Sequence, residues 1–194
     1  MKKLWFIPLA ALAVIYLVDL GSGTSNLETL NSGAASAVKT ASNITHKAIE
    51  TPLVGFSPDG KALDLIIYGI TKAKVSIDVA AYSFTNKSIA AALVAAQKRG
   101  VSIRVVADSK ANADRYTAVT FLINNGIPVV LSSSYKIMHN KYMIFDGLSV
   151  QTGSFNYTAS AVTNAENVIL LRNMPDVAKA YQKDFDRLYL ESME

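Results

Sequence analysis

The sequence predicts an α/β protein: a mixed, mostly parallel sheet between two helical layers, preceded by an N-terminal apolar helix. Three observations carry this. Apolar residues alternate at period two in several short segments, as in Val75, Ile77, Val79 and again in Val101, Ile103, Val105, Ala107. Between such segments apolar residues recur at helical spacing, as in Leu63, Ile66, Ile67 and Ile70. Glycines punctuate the boundaries, with Gly100 and Gly126 placed to close two helices.

The chain opens with Met1-Lys2-Lys3 and then runs fifteen residues, Leu4 to Val18, without a charge. That length suits the core of a signal peptide and falls short of the roughly eighteen apolar residues expected of a spanning helix. Residues 1–20 therefore read as a signal peptide or an uncleaved membrane anchor, with no clean cleavage site to decide between them. Both readings keep the two lysines inside and the rest of the chain outside the cytoplasm, in the periplasm, secreted, or held at the inner membrane. Residues 21–50, rich in Ser, Gly, Thr, Asn and Ala, read as a linker, and His46 within them as an exposed histidine.

Residues 51–194 read as the folded domain. A helix is expected from about Lys61 to Ala73, a strand from Val75 to Phe84, and a helix over Ile89–Arg99 capped by Asn86 or Ser88. Val101 to Ala107 follows as a strand, and Ala111 to Asn125 as a helix. Pro128 to Leu131 is a short strand. Lys141 to Phe145 and Ser149 to Thr152 are two strands joined at Asp146-Gly147, a strong hairpin signal. Asn167 to Leu171 is a last strand. Met174 to Ser192 closes the chain as an amphipathic helix with Val177, Tyr181, Phe185, Leu188 and Tyr189 as its buried stripe.

The composition sets limits on the chemistry. The 194 residues contain no cysteine, which excludes disulfides, thiolate nucleophiles and Cys-ligated zinc. The net charge of +4 permits a polyanionic partner without demanding one. Asp78 and Asp108 lie near strand ends, where carboxylates can ligate metals, but Asp108 is equally placed to cap the next helix, and that reading is preferred.

Chemistry concentrates in His139 to Asn156, HNKYMIFDGLSVQTGSFN. On a strand His139 and Lys141 share a face, as do Ser154 and Asn156 if the chain stays extended. If the two arms pair, an imidazole, an ammonium, a hydroxyl and an amide converge, a set suited to a phosphodiester. His139-x-Lys141, four residues, Asp146, six residues, Gly153-Ser154 resembles the HKD motif of the phospholipase D superfamily without a gap. The continuation through Asn156 to Glu166 and Asn167 resembles the small exported bacterial endonucleases of that superfamily. The segments FSP, IIYGITKAKVSIDVAAYSFTN and LVAAQKRGVSIRVVAD look like that family's first half.

The resemblance implies a phospholipase D-like fold and a metal-independent phosphodiesterase acting through a phosphohistidine. One imidazole cannot be nucleophile and general acid at once, and the chain carries one motif. Two chains are therefore expected to pool their motifs in a homodimer, as the resemblance to single-motif members also implies. His139 is then nucleophile in one chain and acid–base in the other. Lys141, Asn156 and Ser154 face the non-bridging oxygens, and Glu166 is a candidate to orient His139. Asp146 is expected to hold the turn rather than react. No cofactor or metal is expected, since the lysines supply the positive charge. The expected substrate is DNA or RNA; a lipid phosphodiester at a membrane and a non-catalytic nucleic-acid-binding module are the alternatives.

Overall fold

The computed structural model describes residues 50–114 and 116–193, all within the compact unit Ala48–Glu194. The expectations for residues 1–20, for the linker and for His46 lie outside the described residues. Among those described, no helix is long and apolar enough to cross a membrane.

The elements run in the order β1 (Leu53–Ser57), α1 (Lys61–Lys72), β2 (Ser76–Ala81), α2 (Lys87–Lys98), β3 (Ser102–Asp108), α3 (Val119–Asn124) and β4 (Val129–Ser132). They continue with β5 (Lys141–Phe145), β6 (Ser149–Gly153), a single 3₁₀ turn at Ser160–Val162, β7 (Glu166–Leu171) and α4 (Pro175–Glu191). The seven strands form one sheet in the order β1-β7-β6-β5-β2-β3-β4. Alternation sorts each strand between two cores. Ile77, Val79 and Ala81 join Ile103, Val105 and Ala107 under α1, α2 and α3, where Ile66, Ile70, Ile89, Leu93 and Leu122 close over them. Ala80, Val106, Tyr142, Ile144 and Val150 face the other way, onto Ala178, Phe185 and Leu188 of α4. Among the described residues the two helical layers are thus three helices on one face and one on the other.

The sheet is mixed, as expected, but "mostly parallel" needs correction at the level of pairing. Only β2–β3 and β3–β4 pair in parallel; β2–β5, β5–β6, β6–β7 and β7–β1 are antiparallel. After β4 the chain stops alternating with helices and meanders, and short connections enforce antiparallel neighbours. β1 is an edge strand that periodicity did not reveal, because Val54 and Phe56 lie exposed and Gly55 interrupts it. A β-carbon at Gly55 would sit 2.5 Å from the Lys61 carbonyl oxygen, so glycine is what lets α1 start against this strand.

The helix expected over Ala111–Asn125 shrinks to Val119–Asn124. Polar side chains explain the shortfall, because they satisfy backbone groups that a helix would otherwise pair. Asp108 Oδ1 accepts from Ala111 N at 2.8 Å, and Asn112 Nδ2 donates to the Asp108 carbonyl oxygen at 2.8 Å. Thr117 Oγ1 accepts from Val119 N at 3.1 Å. Asn86, by contrast, caps α2 as expected, accepting from Ser88 N and Ile89 N.

α4 is fastened to the sheet by a polar clasp. Arg104 on β3 donates to both oxygens of Asp78, at 2.9 and 2.7 Å, and to Asp186 on α4 at 2.9 Å. Gln182 bonds Asp78 from the same helix at 2.7 Å. The guanidinium also lies 4.9 Å from the Phe185 ring centroid. Asp78 is therefore committed to holding a helix.

Asp146 holds the hairpin. Its φ of 55° and that of Gly147, 64°, with Leu148 N bonded to Phe145 O at 3.0 Å, make a type I′ turn. Its carboxylate accepts from the amides of Lys74, Val75 and Ser76, at 2.7 to 3.1 Å. Those amides begin β2, which explains why the strand starts at Ser76 and leaves Val75 exposed. Replacing Asp146 with Ala removes the acceptor for three amides. It is expected to lower the unfolding free energy by about 1–3 kcal/mol in urea denaturation, while Asp146→Asn, which tolerates the left-handed turn and keeps one acceptor, costs less.

Candidate active site

The motif residues gather at one end of the sheet. His139 precedes β5 and Lys141 begins it. The turn sets the register Tyr142↔Thr152 between β5 and β6, so Gly153 and Ser154 emerge beside Lys141. β7 then pairs Gly153 with Val168 and brings Glu166 alongside Ser154. A β-carbon at Gly153 would lie 2.2 Å from the Asn167 carbonyl oxygen, so no side chain fits where β6 and β7 draw together.

These residues line a cleft of about 610 Å³ with His139, Lys141, Ser154, Asn156 and Glu166 on its sheet side and Tyr181 and Asp184 of α4 opposite. The structure thus brings together every sequence-identified site residue except Asp146, which sits at the far end of β5 bound to backbone amides. Asp108, considered as a metal ligand, instead accepts from Met138 N at 2.9 Å and so anchors the residue before His139. Among the described residues no group of three or more His, Cys, Asp or Glu could hold a metal ion.

Lys141 is only 8% exposed. Its ammonium donates to the His139 carbonyl oxygen at 2.6 Å and lies 5.3 Å from the Tyr82 ring centroid. Burial pulls its pKa below the ordinary lysine value, and the nearby Glu166 carboxylate partly opposes that shift. His139 is exposed, and its ring packs edge-on against Tyr82, with centroids 4.6 Å apart. Among the described residues no hydrogen bond reaches the His139 ring. Glu166, the candidate to orient it, is otherwise engaged within the protomer: Ser154 Oγ donates to it at 2.6 Å and Asn164 Nδ2 at 3.2 Å. Ser154 Oγ in turn accepts from Asn167 N and Nδ2 at 3.0 and 3.2 Å. Its one proton is spent on Glu166, so Ser154 braces the site more than it presents a free donor. Among the described residues, Asn156 Oδ1 is buried without a partner.

Sequence reasoning missed Tyr82, Asn112, Tyr181 and Asp184. Tyr82 follows Ala81, which pairs with Lys141 across β2 and β5. That adjacency joins residues sixty positions apart, and no local pattern announces it. Tyr142 donates to Asp184 at 2.9 Å; burial first, and then that carboxylate, hold its hydroxyl well above the usual tyrosine range.

An imidazole and an ammonium at one strand end, with Ser154 and Asn156 just past the end of the neighbouring strand, reproduce in space the HKD arrangement read from the sequence. The chain belongs to the phospholipase D superfamily: residues 66–189 match the family described as cardiolipin synthase, PLD-like domain. It is similar to Nuc from Salmonella typhimurium, a phospholipase D family member, at 39% identity and a TM-score of 0.71, over 73% of this chain and 95% of that one. It is 36% identical over 133 residues to a phospholipase D of Rickettsia prowazekii, covering 68% of this chain and 65% of the relative. It is 32% identical over 130 residues to a mitochondrial cardiolipin hydrolase of Xenopus laevis, covering 67% of this chain and 62% of the relative. The chain thus spans just under two thirds of the length of these curated relatives.

Burying the Lys141 ammonium costs stability while the group is charged in both the folded and unfolded chain. As pH rises through its lowered pKa towards 10.5, the folded chain sheds the proton first and that cost is relieved. Lys141→Met is expected to melt at or above the wild-type temperature at pH 7, with the gap narrowing as pH approaches 10.5. A variant that melts several degrees lower at neutral pH would contradict this.

Proposed function

We propose that the chain is a metal-independent nuclease that cleaves phosphodiesters through a phosphohistidine in a site shared by two copies of itself. The observation that carries this reading is a cleft holding a single imidazole, with no hydrogen-bond partner on its ring among the described residues, beside a buried lysine.

The reaction needs two imidazoles. A neutral His139 ring nitrogen attacks phosphorus; the N–P bond forms as the P–O bond to the leaving group breaks, and a protonated second imidazole gives its proton to the departing oxygen. Water then attacks phosphorus, the N–P bond breaks, and the second imidazole takes the proton from water. Each chain supplies one motif, so a two-fold homodimer supplies both rings and two Lys141 ammonium groups to hold the non-bridging oxygens. The orphaned Asn156 Oδ1 fits an arrangement in which a donor from the second copy or the ligand completes the site.

Nucleic acid is the favoured substrate. The gapless motif, the resemblance to small bacterial nucleases from Asn156 to Asn167, the net charge of +4 and the near-complete overlap with Nuc support it. A lipid phosphodiester is the second reading, favoured by the curated relatives, which are a phospholipase D and a cardiolipin hydrolase, and by the apolar run Leu4 to Val18. That run and the lysines before it also support a place of action outside the cytoplasm, free or held at the membrane.

The full chain, incubated with plasmid DNA, RNA and phosphatidylcholine vesicles with and without chelator, tests the reading. Turnover of nucleic acid that survives chelator is expected; turnover on vesicles alone would move the substrate to lipid. His139→Ala is expected to lose at least about a thousandfold in rate, as loss of a nucleophile does, and full activity in that variant would remove His139 from the mechanism.

A further inference from the structure

We propose that Tyr82 is a positioning residue of this site, its ring acting as the platform that fixes the imidazole of His139 and the ammonium of Lys141 relative to each other. The proposal rests on the phosphodiesterase reading above and adds to it a residue outside the motif. One aromatic ring touches both groups: its centroid lies 4.6 Å from that of His139, at 60° between planes, and 5.3 Å from Lys141 Nζ. No other ring contact to either group occurs among the described residues.

The physical argument has two parts. An exposed imidazole without a hydrogen bond turns freely about its side-chain torsions, and attack on phosphorus requires it held in line. The edge-on contact with Tyr82 restricts that rotation. A largely buried ammonium, meanwhile, tends to lose its proton, yet it must be charged to stabilise the transition state. The negative face of the Tyr82 ring favours the charged form without adding an anion that would repel a phosphodiester.

The platform is itself held from behind. Asn112 Nδ2 donates to the Tyr82 carbonyl oxygen at 2.6 Å and to the Asp108 carbonyl oxygen at 2.8 Å, while its Oδ1 accepts from Phe84 N. Asp108 Oδ2 accepts from Met138 N, beside His139. A buried two-residue bracket, Asp108 and Asn112, thus ties the backbone under Tyr82 to the backbone leading into His139. Among the described residues, Glu166 on β7, Tyr142 on β5, Asp184 and Tyr181 on α4, and Tyr82 itself are the titratable groups sharing the site with Lys141 and His139.

The test compares Tyr82→Phe and Tyr82→Leu in the full chain on bis(p-nitrophenyl) phosphate, a phosphodiester that is neither nucleic acid nor lipid. Tyr82→Phe keeps the ring and is expected to stay within about twofold of wild type. Tyr82→Leu is expected to lose about tenfold or more in kcat with KM little changed, and its alkaline limb is expected to move to lower pH by up to about one unit. Unchanged kcat and limb in a folded Tyr82→Leu would overturn the proposal, as would an equal loss in Tyr82→Phe, which would assign the effect to the hydroxyl. If Tyr82→Leu does not fold, the wild-type protein decides. The His139 ring protons, assigned by His139→Gln, are expected to be displaced by the Tyr82 ring current, and ordinary shifts would overturn the contact. An active His139→Ala refutes the phosphohistidine reading; a dead His139→Ala beside an unaffected Tyr82→Leu refutes only the platform.

Discussion

The register between β5 and β6 is the constraint on which the site depends. Side chains alternate on a strand, so slipping this pairing by one residue would turn Lys141 to the opposite face and move Gly153 away from Asn167. The Asp146-Gly147 turn prevents the slip. Both residues adopt positive φ, and the Asp146 carboxylate is spent on three amides at the start of β2. Asp146 therefore orders β2, β5 and β6 together from the end of the sheet opposite the cleft. Its place in the motif is structural, although it travels in sequence with the residues proposed for chemistry.

The same economy recurs around the cleft: among the described residues, polar side chains there are mostly committed to backbone or to one another. Asp108 and Asn112 hold the two backbone segments that carry Tyr82 and His139. Asp78 holds Arg104, which holds α4, the far wall of the cleft. Glu166 and Ser154 hold each other where β6 meets β7. A fully paired polar network rigidifies the elements it joins, because breaking any one bond strands a group away from water. Among the described residues the His139 imidazole makes no hydrogen bond, and Asn156 Oδ1, like Ser132 Oγ, Gln151 Nε2 and Arg172 Nε, is buried without a partner.

What the sequence disclosed followed locality. The hairpin, the two strands around it, α1, α2 and α4 were legible because turn chemistry and periodicity act within ten or so residues. That Asp146 would bond backbone at the turn was legible from its place before glycine, but the amides it binds, Lys74 to Ser76, lie far off in sequence and were not. The pairing of β1 with β7 was not, because it joins residues more than a hundred positions apart and its exposed edge shows no alternation of burial. The missing turns before α3 were hidden by side chains, Asp108, Asn112 and Thr117, that compete with helix for backbone groups. Tyr82 was invisible because its place in the site arises only once β2 lies beside β5. The partner of Glu166 was a tertiary matter too, decided by how close β7 brings it to Ser154.

The electrostatics around Lys141 fit the proposed reading, in which an anion completes the site. Lys141 is a cation held nearly out of water, beside a carboxylate already engaged by Ser154 and Asn164. Within the chain the ammonium gains one carbonyl oxygen and one aromatic face, less than water would offer a free ammonium. A fold keeps such a group when something outside it supplies the missing charge, and a phosphodiester does so with two non-bridging oxygens. Binding the anion raises the lysine pKa that burial lowers, so substrate and proton bind cooperatively at this site. In the proposed dimer a second copy of the motif would strengthen that effect, because two ammonium groups facing one phosphate would repel each other until the phosphate lies between them. In the proposed dimer, pairing at the cleft would therefore be linked to substrate: the anion would relieve the repulsion that otherwise keeps the two lysines apart.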